Sequence, residues 1–149
     1  IPMADAMVRL FFEPYDWMRS TYELYKGQMT WKEFVLAAAP LLSGPAVRGM
    51  RVGTNIWTST NSRTHVQNAF RHWIDHRNEF PNLQNAKQYV EAAHDFLHNP
   101  PVGTLTKFRT NGDILRYHPG TNTFAVMDRT GTPRTMFKPN NGIRYWNTQ

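Results

Sequence analysis

The stretch Thr104-Leu105-Thr106-Lys107-Phe108-Arg109-Thr110-Asn111-Gly112-Asp113-Ile114-Leu115-Arg116-Tyr117 decides the fold. Side chains alternate with a period of two on either side of Asn111-Gly112, a strong short-range hairpin signal. A type I′ turn needs positive φ at both central positions, and Asn and Gly supply it. Three further turn signals follow, at Pro119-Gly120 with Asn122, at Gly131 and at Asn141-Gly142. They separate Thr123–Met127, Pro133–Phe137 and a last short strand near Ile143–Trp146. The C-terminal third therefore predicts an antiparallel meander of four to five strands.

Upstream, the apolar period is helical. Val66, Ala69, Phe70, Trp73 and Ile74 form one stripe on a helix over about Arg63–Asn78, capped by Asn61 or Ser62. Tyr89, Val90, Ala93, Phe96 and Leu97 repeat the spacing on a second helix, started by Asn82 or Asn85 and stopped at Asn99-Pro100-Pro101. Thr30 and Glu33 have capping-box spacing, so a helix runs Trp31–Ala39 and stops at Pro40. Residues 3–25 read as a helix that Pro14 breaks or restarts. Residues 40–60 contain Pro40, Gly44, Pro45, Gly49 and Gly53 and read as a loop or linker. Helices first and an antiparallel sheet after make an α+β chain. It divides into a helical lead-in over 1–60 and a working domain over 61–149. The start at Ile1, without Met, suggests a piece of something larger.

The 149 residues carry 17 Lys and Arg against 11 Asp and Glu, a net charge of +6. Residues 100–149 hold seven basic side chains against two acidic ones, a balance of +5, so nearly all the excess lies on the predicted sheet. Localised positive charge points to a phosphate-bearing partner. The chain lacks cysteine, which excludes disulfides, thiolate metal sites and cysteine nucleophiles. No apolar run approaches the ~18 residues a membrane span needs.

His65, His72 and His76 fall within roughly 40° of one another on the helical wheel. Imidazoles on one face can perform acid–base chemistry near neutral pH or bind a metal. His94 and His98 form a second pair, with His98 suited to the helix C-terminus. Arg134, Met136 and Lys138 alternate with Thr135 and Phe137, and Lys107 and Arg109 repeat the spacing. Such cations can hold a phosphate and stabilise charge developing on it. Tyr117, Tyr145 and Trp146 are the candidates for stacking bases.

The ordered set His72-Trp73, His76, Glu79-Phe80-Pro81, Asn85 to Val90, Asn111-Gly112-Asp113, Tyr117, Asn122 to Val126, Arg134 to Pro139 and Tyr145-Trp146 resembles the C-terminal toxin domains of polymorphic bacterial toxins. These are carried by contact-dependent inhibition and Rhs-type proteins. The resemblance covers about 85 residues from His65 and points to the ribonucleases of the barnase, EndoU, colicin and RelE-like (BECR) group. It implies a metal-independent endoribonuclease without cofactor, cutting RNA and in particular tRNA by 2′-hydroxyl attack. The toxin would be delivered from the producing bacterium, act in the target-cell cytoplasm and be neutralised by an acidic immunity protein. The resemblance places His72, His76, Arg134 and Thr135 in catalysis, and Lys107, Arg109, Tyr117 and Lys138 on substrate. The competing readings are a metal-dependent DNase using the His65/His72/His76 face and a non-catalytic nucleic-acid-binding module.

Overall fold

A computed structural model describes residues 18–19, 21–43 and 46–149. The expected break at Pro14 and most of the helix over 3–25 lie outside them. The chain forms two compact units, Ile1–Gly44 and Pro45–Gln149.

In the first unit, α1 spans Trp31–Ser43. Thr30 Oγ1 accepts from the Glu33 amide at 3.2 Å and donates to the Glu33 carboxylate at 3.1 Å. The helix does not stop at Pro40; that residue lies inside it. Proline removes one helical hydrogen bond, to the carbonyl four residues back. That residue is Leu36, whose exposure of 64% places it on the solvent side. Tyr22, Trp31 and Phe34 pack ring against ring, and Phe34 is fully buried.

The second unit begins with residues 46–60, irregular as their Pro and Gly content predicts, but folded against the rest of the unit. Trp57 is fully buried between His72 and Tyr89, with ring centroids 5.3 and 5.4 Å away. The Thr58 amide donates to the Pro133 carbonyl at 2.9 Å. His94 Nε2 lies 2.9 Å from the Ile56 carbonyl oxygen. His98 reaches the Gly49 and Gly131 carbonyl oxygens at 3.2 and 2.8 Å, so it ties two segments to its helix besides ending it.

Helix α2 spans His65–His76, and Ala69, Phe70, Trp73 and Ile74 of the predicted stripe are buried together with Asn68, while Val66 is half-buried. Its cap is Thr64, not Asn61 or Ser62. Thr64 Oγ1 accepts from the Gln67 amide at 3.2 Å, and Gln67 Oε1 accepts from the Thr64 amide at 3.0 Å. This reciprocal pair satisfies two otherwise free amides, which Asn61 and Ser62 stand too far upstream to do. Replacing Thr64 by alanine is expected to cost about 1 kcal/mol, read from urea unfolding. Unchanged stability would remove the box from the account of α2. A 3₁₀ turn, Arg77–Glu79, follows, and then α3, Ala86–His98, capped by Asn85 as expected.

Four strands, β1 Leu105–Phe108, β2 Ile114–His118, β3 Thr123–Met127 and β4 Pro133–Phe137, form an antiparallel sheet in sequence order. The first hairpin is there, but its turn is not type I′. Gly112 has φ +93°, whereas Asn111 is not left-handed. The Gly112 amide donates to the Arg109 carbonyl and the Arg109 amide to the Asp113 carbonyl. That is a three-residue loop with a left-handed glycine, the alternative that relieves Asn of positive φ.

Leu115, Tyr117, Phe124 and Val126 line one sheet face with Trp146, while Phe137 and Tyr145 pack alongside. The expected fifth strand is instead a short helix, α4 Ile143–Asn147. Trp146 stacks on Tyr117, and Tyr145 meets Phe124 edge-on. Adjacent residues of a strand point to opposite faces. A helical turn lets Tyr145 and Trp146 both rest on the same sheet. On the other face lies α3, where the Tyr89 hydroxyl donates to the Met136 carbonyl and Arg116 Nε to the Leu97 carbonyl. Helix α2 runs beside β4. No helix among the described residues is long and apolar enough to cross a membrane.

Candidate active site

The side of α2 next to β4 carries His72 and His76, four residues apart, with ring centroids 6.0 Å from each other. β4 meets them with alternate residues of one face. Thr135 Oγ1 lies 3.3 Å from His72 Nδ1, and the Phe137 ring stacks on His76 at 5.4 Å. The two imidazoles have different surroundings. His72 is largely enclosed, and burial first, then the charges of His76, Arg71 and Arg63, push its pKa down to about 4. Its ring is therefore neutral at neutral pH. His76 Nδ1–H donates to Glu79 Oε2 at 2.7 Å, and the other carboxylate oxygen, Oε1, accepts the Lys138 amide at 2.7 Å. Glu79 thus fixes the orientation of His76 and anchors the end of α2 to the end of β4.

His76 opens onto a cleft of about 350 Å³, lined also by Glu79, Phe137, Lys138, Asn141 and Tyr145. Burial holds the Lys138 ammonium below its ordinary pKa, with Glu79 opposing the shift. Its Nζ donates to the Thr121 carbonyl at 2.6 Å.

Of the residues singled out in the sequence, His72, His76 and Thr135 come together, with Lys138 at the cleft's edge. Arg134 does not share the alternation with Met136 and Lys138. The register pairs Val126 with Thr135 but Met127 with Pro133, so Arg134 is the extra residue of a bulge. Its Nε donates to Asp113 Oδ1 at 3.0 Å. Lys107 and Arg109 turn toward the end of the chain. Lys107 Nζ donates to the Trp146 and Gln149 carbonyls, and Arg109 to the Gln149 side chain. The expected cationic pair on β1 thus caps α4. Tyr117 is buried beneath Trp146, and its hydroxyl donates to Asn122. Neither ring has a face open to a base. Tyr145 alone of the three stacking candidates lines the cleft.

The three histidines of α2 do not converge. His65 is exposed, and its Nδ1–H donates to the Trp57 carbonyl at 2.7 Å. Among the described residues no group of three metal-ligating side chains is found. Sequence reasoning missed Glu79, although its i, i+3 spacing from His76 carries the signal. It also missed Arg63 and Arg71, the cations whose charge reaches His72. Comparison of the chain with protein-family models and with curated proteins finds no match.

Proposed function

We propose that the chain is a metal-independent endoribonuclease, an antibacterial toxin domain acting on RNA and in particular on tRNA. The observation that carries this reading is the unlike pair of imidazoles, one neutral and enclosed beside a hydroxyl, the other held by a carboxylate at an open cleft. Two imidazoles in unlike surroundings can divide between them the roles of base and acid that cleavage by internal attack requires. In this scheme neutral His72 accepts the proton of the 2′-hydroxyl, and the 2′-oxygen attacks the adjacent phosphorus. His76 in its protonated form gives a proton to the departing 5′-oxygen. The products are a 2′,3′-cyclic phosphate and a free 5′-hydroxyl. The bound phosphate supplies negative charge beside His72, which offsets the cost of protonating an enclosed ring. The Thr135 hydroxyl beside His72 and the Lys138 ammonium at the cleft stabilise charge on the phosphate.

Delivery from a producing bacterium and neutralisation by an acidic immunity protein belong to the same proposal. An acidic partner complements a chain of net charge +6 and would occlude the cleft. The test is incubation of the purified full chain with total tRNA in excess EDTA. Fragments ending in 2′,3′-cyclic phosphate are the expected result. RNA left intact under these conditions, while a control ribonuclease cuts it, overturns the reading.

A further inference from the structure

A second and larger cavity, of about 690 Å³, adjoins the cleft. It lies between the segment after the 3₁₀ turn, the outer side of α3 and the turn joining β2 to β3. The two cavities share two residues, Glu79 and Lys138. Its wall is mainly apolar, with Phe80 and Phe96 beside Leu83 and Met136, and its polar lining includes Asn82, Asn99 and the acidic Asp95. The Lys138 ammonium stands 5.1 Å from the centre of the Phe80 ring, at the junction between the cavities.

We infer that this cavity is a nucleobase subsite, holding the base of a nucleotide next to the phosphate in the His76 cleft. The inference rests on the ribonuclease reading above and adds to it the part of the substrate that is recognised. Three features select a base. Aromatic faces accept a flat ring by stacking. Amide groups, each both donor and acceptor, match the polar edge of a heterocycle, which an aliphatic ligand lacks. The cation at the junction sits where a nucleotide reaching from one cavity to the other carries its phosphate. The volume is in the range of small-molecule sites.

The test uses the full chain carrying His76→Ala, titrated with the four nucleoside 3′-monophosphates and, as base-free probes, inorganic phosphate and ribose 5-phosphate. At least one nucleotide is expected to bind more tightly than ribose 5-phosphate. Adding Phe96→Ala is expected to weaken that nucleotide about tenfold or more, and adding Asn99→Ala to weaken it measurably. Neither change should alter the base-free probes. Asn82 and Asn99 are exposed, so Asn82→Ala and Asn99→Ala keep the test decisive if Phe96→Ala fails to fold. Nucleotides that bind no better than ribose 5-phosphate, or equally well to every cavity variant, overturn the subsite. The two proposals fail separately. Nucleotide binding sensitive to Phe96 in a chain that leaves RNA uncut sustains the subsite and ends the catalytic reading. RNA cleavage that depends on His76, with base preference unaltered by Phe96→Ala and Asn99→Ala, does the reverse.

Discussion

If the chain is the proposed ribonuclease, replacing His76 by alanine is expected to lower RNA cleavage by about 10²- to 10⁴-fold, the range lost when a positioned acid or base is removed. The fold should survive, because His76 is half-buried at the cleft and its ring, among the described residues, rests on Phe137 and His72. Its loss removes a single hydrogen bond to Glu79, expected to cost about 1–3 kcal/mol. Single-turnover rates on tRNA, with circular dichroism of the same preparation, measure both effects. Glu79→Gln should cost less, since the one amide oxygen can still accept from His76 Nδ1–H, although the amide nitrogen then faces the Lys138 amide in place of an acceptor. A folded His76→Ala protein that cuts RNA at the parental rate removes this residue from the mechanism.

The second large effect is on stability. The folded-state pKa of His72 is about 4, against an ordinary value of 6.5, with burial as the first cause. Between those values the unfolded chain binds more protons than the folded one, so stability rises with pH and is lost as pH falls from about 6.5 to about 4. The span is worth about 3 kcal/mol. His94, whose pKa is also lowered mainly by burial, acts in the same direction. Urea midpoints across this range should fall steadily on acidification. The decline should be visibly shallower in His72→Gln, which keeps a polar partner for Thr135 but cannot take the proton. An equal decline in both proteins assigns the pH dependence to other groups.

The meander was the most legible part of the fold, because alternation and turn residues are local properties. Asn111-Gly112 marked the first hairpin correctly, although the backbone satisfies it with one left-handed residue and not two. The stripes of α2 and α3 were legible for the same reason. What could not be read locally is what depends on a distant partner. Tyr145 and Trp146 look like strand residues until the sheet beneath them demands that neighbours face the same way. The bulge at Arg134 arises from the pairing of β3 with β4, and it breaks a cationic row that looks continuous in sequence. The meeting of His72 with Thr135 joins positions 63 residues apart and depends on where α2 runs along β4. The pairing of His76 with Glu79, by contrast, was within reach of a spacing argument.

The strap formed by residues 46–60 has a mechanical consequence. It is held by separate attachments along its length, from Arg48 to the Glu91 carboxylate, from His98 to the Gly49 carbonyl, from His94 to the Ile56 carbonyl, from the Asn68 side chain to the Thr58 carbonyl and from the Thr58 amide to the Pro133 carbonyl. Tension applied from the N-terminal side loads these bonds one after another, as in peeling tape, whereas strands sheared along their length share the load. Those at Arg48 and Gly49 take the load first, and those at Ile56 and Thr58, which flank Trp57, the ring that lies against His72, take it next. A pull from that end therefore reaches the cover of the enclosed imidazole at the point where the Thr58 amide passes the load to β4 through the Pro133 carbonyl.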